Sequence, residues 1–158
     1  MNSFTTAIAA STLALTAASA SAAEFPKSGS TKATSYYTQT IVDELEGWEA
    51  DWQPNVYVLT GILRNAVDGG PFDKNFLRCI GQSAMVAGAY TDSGTCTETD
   101  KDSDKIFITY GPDSFTYVGG TGKYKGITGG GTFKADPVYI GKKDSAFIIS
   151  FEKNWAIK

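Results

Sequence analysis

Histidine is absent from this 158-residue chain. Without it, the Ser-His-Asp and Cys-His arrangements of nucleophilic catalysis and the ordinary zinc sites are excluded. Cysteine is scarce, with Cys79 and Cys96 alone. No basic stripe exists either: 14 Lys and Arg residues are interspersed with 17 Asp and Glu, for a net charge of −3. A phosphate backbone would find nothing to neutralise it, so no nucleic-acid partner is expected. Past residue 23 no apolar run is long enough to cross a bilayer, and no membrane association is expected there. Helical periodicity is lacking as well. Its one candidate is Asp43 to Trp52, where Leu45, Trp48 and Trp52 are spaced three and four apart, enough for no more than a single turn and equally open to a strand extension or loop.

The first 23 residues are expected to be an export signal rather than part of the fold. From Ala7 to Ala23 the chain is almost wholly Ala, Ser, Thr and Leu, and no charged side chain precedes Glu24. Ala18-Ser19-Ala20 and Ala20-Ser21-Ala22 carry the small-x-small pattern that a signal peptidase accepts. A membrane anchor would need ~20 strongly apolar residues, and only Ile8, Leu13 and Leu15 are large and apolar. The expected location is therefore secreted or periplasmic. In such an oxidising compartment an even cysteine count suggests a Cys79–Cys96 disulfide, two buried free thiols being the alternative.

After the signal, about 135 residues remain, the size of one domain with one core. Residues 24–33 are polar, with Pro26 and Gly29, and are expected to form a flexible leader; residues 34–158 would be the domain. Strand-like runs cover Ser35 to Val42, Val56 to Leu63, Phe76 to Tyr90, Lys105 to Tyr110, Ser114 to Val118, Gly130 to Lys134 and Ser145 to Ile157. Ile106, Ile108 and Tyr110 share one face by alternation, as do Phe147, Ile149 and Phe151. Turn chemistry separates the runs at Gln53-Pro54-Asn55, Asp68-Gly69-Gly70-Pro71, Thr91-Asp92-Ser93-Gly94, Gly111-Pro112-Asp113 and Gly141-Lys142-Lys143-Asp144.

Seven glycines lie between residues 119 and 131, among recurring Tyr, Val, Ile and Phe. Flexible linkers pair glycine with serine, not with strand formers. Glycine in strand-forming sequence marks a bulge, a corner or a close approach. The chain thus reads as an all-β sandwich or barrel of seven or eight short-spaced strands. It also ends in a strand-like run that could pair with the first strand and remove an open edge.

The run Val118-Gly119-Gly120-Thr121-Gly122-Lys123-Tyr124-Lys125-Gly126-Ile127-Thr128-Gly129 resembles the glycine segment shared by plant allene oxide cyclases and dirigent proteins. Asp104 to Tyr110 looks like the strand before it, Arg78-Cys79-Ile80-Gly81 like the cysteine-bearing strand of the cyclases, and Ser145 to Ile157 like their closing aromatic strand. The likeness covers residues 56–158 and looks most like a secreted bacterial relative of that superfamily. It implies a closed, antiparallel, eight-stranded barrel with an apolar interior, commonly a homo-trimer, with Gly119, Gly120, Gly122 and Gly126 as structural glycines. In the cyclases a carboxylate near the end of the first strand acts with a cysteine facing the cavity. The nearest carboxylates are Asp43, Glu44 and Glu46, and Cys79 stands at the cysteine's place, where a bridged sulfur could not act.

Four further features bear on a site. Asp100, Asp102 and Asp104 mimic the first ligands of a calcium loop, but Lys105 replaces its glycine and Gly111 its closing Glu, so together with Glu98 they read as a solvated hairpin tip. Gly119-Gly120-Thr121-Gly122-Lys123 is not a P-loop, since Tyr124 follows the lysine and no helix pattern follows. Arg64 and Arg78, the only arginines, lie in or beside strands and could anchor a ligand if they pointed inward. Nine Phe, eight Tyr and three Trp exceed what a minimal core of this size needs. A barrel lined by them could hold one small guest, ordinary core and interface packing being the alternative.

Three readings follow. The first is an exported barrel that binds a small apolar or aromatic molecule, without cofactor, through Tyr57, Tyr110, Tyr117 and Phe147. The second is a cofactor-free cyclase, isomerase or lyase, for which Asp43, Glu44, Glu46, Tyr57 and Tyr110 are the catalytic candidates. The third is a filled barrel with a structural or interaction role. A cavity separates the third from the others, and one of Asp43, Glu44 or Glu46 pointing into it within reach of a tyrosine would favour the second over the first.

Overall fold

The computed structural model describes residues 24–45 and 53–158. Eight strands follow one another around a closed barrel: β1 (Ser28–Glu44), β2 (Asn55–Asn65), β3 (Phe76–Val86), β4 (Ala89–Thr99), β5 (Lys105–Tyr110), β6 (Ser114–Gly120), β7 (Ile127–Ile140) and β8 (Asp144–Ile157). Every neighbour is antiparallel, and β8 returns to β1 over the register from Ser28↔Ala156 to Thr40↔Asp144. This is the expected closed eight-stranded barrel, with one 3-10 turn, Gly122–Tyr124, as its only helical element among the described residues.

Alternation decides which side chains face inward. Leu77 and Cys79 on β3, Cys96 and Glu98 on β4, Ile106 and Ile108 on β5, Phe115 and Tyr117 on β6 and Ile149 on β8 are buried, while their neighbours face out. Cys79 and Cys96 stand directly opposite one another and form a disulfide.

The glycine cluster bends the ribbon. Opposite β5, Phe107 pairs with Gly119 and Ile108 with Tyr117, so Val118 is the extra residue of a bulge. Gly122 opens the 3-10 turn at φ +51 and Gly126 follows it at φ +81, where a side chain is strained. A Cβ at Gly120 would come within 2.6 Å of the Tyr124 carbonyl.

One end of the barrel is stoppered. Phe72, from the loop between β2 and β3, packs with ring centroids 5.0 Å from Trp155, 5.4 Å from Phe25 and 6.2 Å from Tyr124. The Trp155 indole N–H donates to the Pro26 carbonyl at 2.9 Å.

Several expectations need correction. Residues 28–33 are not a flexible leader: their backbone pairs with β8, and Phe25 packs into the stopper. Their polarity reflects a solvent-facing strand surface. The run from Phe76 to Tyr90 is two strands, which turn at Ala87-Gly88, so Thr91-Asp92-Ser93-Gly94 lies inside β4 and is no turn. The helical candidate does not begin at Asp43, because Asp43 and Glu44 end β1; its remainder from Glu46 to Trp52 lies outside the described residues.

The disulfide closes a loop with a sequence separation of 17. Its loss should cost about 3 kcal/mol in the chain-entropy picture. Urea unfolding with and without reductant should show that drop, and matching midpoints would contradict it.

Candidate functional site

The lumen holds a cavity of about 190 Å³. Its walls are mostly apolar: Leu59, Leu77, Ile108, Phe115, Phe133 and Phe147 carry much of them, with the Cys79–Cys96 bridge on one side. Tyr90 and Ala135, exposed residues of the lining, mark its mouth at the end opposite the Phe72 stopper. An apolar chamber with few polar groups is the usual form of a small-molecule site.

Two polar clusters interrupt it. At the mouth, the Tyr57 hydroxyl donates to the Asp92 carboxylate and lies 2.8 Å from the Tyr110 hydroxyl. Tyr57 has a single proton, already given to Asp92, so Tyr110 must be the donor to the Tyr57 oxygen. The result is a directed chain, Tyr110 to Tyr57 to Asp92. Burial raises all three pKa values: Asp92 moves above the usual carboxylate range, Tyr57 moves far up and is held protonated by Asp92, and Tyr110 rises to about 12.

Space for this chain comes from missing side chains. Gly81 and Gly94 face each other across β3 and β4, and a Cβ on either would collide with the Tyr110 hydroxyl. The glycines thus seat the tyrosine pair.

At the inner end, Lys153 donates to Glu98 at 2.7 Å, and the other Glu98 oxygen accepts from the Asn75 amide at 2.8 Å. Both charged side chains are buried, at 2% and 0% exposure. Burial holds the Lys153 pKa below the ordinary lysine value, against the pull of Glu98.

The expected site residues divide sharply. Tyr57, Tyr110 and Phe147 line the cavity. Tyr117 does not; it is buried beside Phe72 and Phe115, its hydroxyl without a partner among the described residues. Asp43 and Glu44 are exposed at the end of β1, away from the lining, and Glu46 lies outside the described residues. Arg64 and Arg78 point outward, and Arg64 pairs with Asp68 at 3.2 Å and Asp73 at 3.1 Å.

The calcium-like carboxylates serve a lysine. Lys123 Nζ lies 2.6 Å from both Asp100 and Asp102, and its backbone N–H donates to Asp104 at 3.1 Å. Among the described residues no group of three or more His, Cys, Asp or Glu is placed to hold a metal ion. Glu98 is not part of that exposed turn but of the lumen.

Asp92, Glu98 and Lys153 are the charged side chains of the lining that sequence reasoning did not place there. Each had a signal. Extending the alternation Phe147, Ile149, Phe151 by one step puts Lys153 inside. Counting back from Cys96 by twos puts Gly94 and Asp92 on the cavity face, and counting forward puts Glu98 there.

The chain matches no protein-family model and no curated protein sequence. Among solved structures it is similar to two pterocarpan synthase dirigent proteins. GePTS1 superposes with a TM-score of 0.53 at 15% identity, over 84% of this chain and 88% of that one. PsPTS1 does so with a TM-score of 0.55 at 14% identity, over 85% and 99%. The chain therefore has the dirigent-type barrel fold.

The raised pKa of Asp92 carries a sign for stability. The folded protein holds this proton more tightly than the unfolded chain. Its contribution is thus full below the ordinary carboxylate pKa of ~3.9 and is lost as pH rises through the raised value. Asp92→Asn, which does not titrate, should gain stability relative to the parent as pH rises through that window. Thermal midpoints across the acid range should diverge this way; parallel curves would contradict it.

Proposed function

We propose that this protein is an exported barrel that binds one small, largely apolar molecule, aromatic or aliphatic, in its lumen. The observation that carries the reading is the cavity of about 190 Å³, walled by aromatic and aliphatic side chains and opening beside a hydrogen-bonding group. A filled barrel would leave no such space. The disulfide fits an oxidising compartment, and no described helix is long and apolar enough to cross a membrane. The known dirigent structures support a barrel fold, while the nature of the guest is argued from this lumen alone.

A second reading is favoured by one specific feature, the Asp92 carboxylate held by Tyr57 in an apolar setting. A buried carboxylate with a raised pKa is the equipment of a general acid or base. As a base, Asp92 would take a proton from the carbon next to a guest carbonyl, the C–H electron pair moving toward the carbonyl oxygen. Return of a proton to another carbon would complete a cofactor-free isomerisation. Tyr57 and Tyr110 would keep the carboxylate aimed.

Native mass spectrometry of protein taken from its own source is the direct test of the first reading. It should release a retained small molecule, with three copies of the chain per particle. Ala135→Trp, which narrows the mouth, should weaken uptake of an apolar dye by roughly tenfold, or ~1.4 kcal/mol. Unchanged uptake would place the dye elsewhere and remove the lumen as the binding site.

For the second reading the probe is α-tetralone in heavy water, followed by NMR. Exchange of its α-protons should be accelerated by the parent and lost in Asp92→Asn. The rate should rise with pH through an inflection above the usual aspartate range. No acceleration by the parent leaves the protein a binder only.

A further inference from the structure

The Glu98–Lys153 pair has a spare capacity that the fold does not use. An ammonium carries three N–H donors. Among the described residues, Glu98 is the one acceptor that Lys153 Nζ reaches; the aromatic faces of Phe72 at 4.5 Å and Phe151 at 5.7 Å surround the rest. Each Glu98 oxygen already has a donor, Lys153 on one and the Asn75 amide on the other. Both side chains line the cavity that the mouth opens into. The floor of the lumen therefore presents donors in search of an acceptor, at the bottom of an oily shaft.

The charge balance narrows the acceptor further. Glu98 already neutralises Lys153, so an anionic guest would add a second negative charge with nothing left to compensate it. Asp92 at the mouth and the electron-rich ring faces around Lys153 make that worse. A neutral oxygen suffers no such penalty. The walls beside it, Phe115, Phe133, Phe147 and Phe151, suit a flat body.

We propose that Lys153 is a second anchor at the floor of the lumen, and that it receives a neutral oxygen acceptor, a carbonyl or phenol oxygen, at the inner end of a flat aromatic or conjugated guest. This rests on the lumen-binding reading above and specifies its ligand class. Lys153 holds the inner end of the guest while the Tyr110–Tyr57–Asp92 chain faces the outer end, so one molecule is fixed in one orientation.

The test compares two probes of the same shape, acetylnaphthalene and ethylnaphthalene, which differ by one carbonyl oxygen. Binding is read from quenching of tryptophan fluorescence and confirmed by calorimetry. A hydrogen bond to a charged donor should favour the ketone by roughly tenfold or more in the parent protein. The variant is the double substitution Glu98→Gln with Lys153→Met, because removing one charge alone would leave the other buried without a partner. There the two probes should bind within about twofold of each other. Tyr57→Phe should keep the preference.

A preference that survives the double substitution, or that vanishes in Tyr57→Phe, overturns the floor anchor. So does equal binding of both probes to the parent, which would leave lumen binding itself intact. If neither probe binds the parent, both readings fall. Should the double variant not fold, NMR of the nitrogen-labelled Lys153 side chain decides in the parent: its signal should shift with the ketone and stay in place with the hydrocarbon, and equal shifts overturn the proposal.

Discussion

The pairing of β8 with β1 is the contact on which everything else in this molecule depends. Along the register from Ser28↔Ala156 to Thr40↔Asp144 the ends of the ribbon satisfy one another's backbone groups, and no strand edge is left open. Closure also gives each strand an unambiguous inside. A side-chain period of two then forces Asp92, Cys96 and Glu98 on β4 into one shared lumen with Phe147, Ile149 and Lys153 on β8. Strands distant in sequence thus bring Glu98 and Lys153, 55 residues apart, to within a hydrogen bond.

The lumen is not uniformly oily, and that carries more meaning than its size. Burying a carboxylate and an ammonium costs several kcal/mol per ion before their attraction returns any of it, and a well-packed apolar pair often does as well or better. The Asp92 carboxylate at the mouth likewise resists ionisation because burial disfavours its charge. Polar groups in such places are weakly explained by stability alone. The stopper of Phe25, Phe72 and Trp155 makes the two ends unlike, with the Asp92 cluster at the open end and the Lys153 pair at the inner one.

Much of this architecture could be read along the chain. Alternation in Ile106, Ile108 and Tyr110, and in Phe147, Ile149 and Phe151, marked strands and the residues that share a face; closure turns those faces inward. The glycines among strand formers marked the place where the ribbon bends. The cysteine pair held more than was taken from it. Midway between Cys79 and Cys96 lie Ala87 and Gly88, the turn of the hairpin that places those cysteines opposite one another. Reading Thr91-Asp92-Ser93-Gly94 as the turn instead moved Asp92 out to solvent. Turn-forming residue types are compatible with strands when a glycine makes room for neighbouring rings, as Gly94 does for Tyr110.

By itself, then, the sequence determined the strand class, the bend and which side chains share a strand face, because these rest on local period and local backbone freedom. Which carboxylates enter the lumen was decided only by tertiary structure. Asp43 and Glu44 were the candidates while Asp92 and Glu98 were read as turn and hairpin tip, yet the chemistry of all four is the same. What separates them is register, a relation between strands, and register is settled by how all eight close upon one another. A charge inside an apolar barrel has a meaning that its neighbours in the chain cannot supply, because its environment is built by residues far away along it.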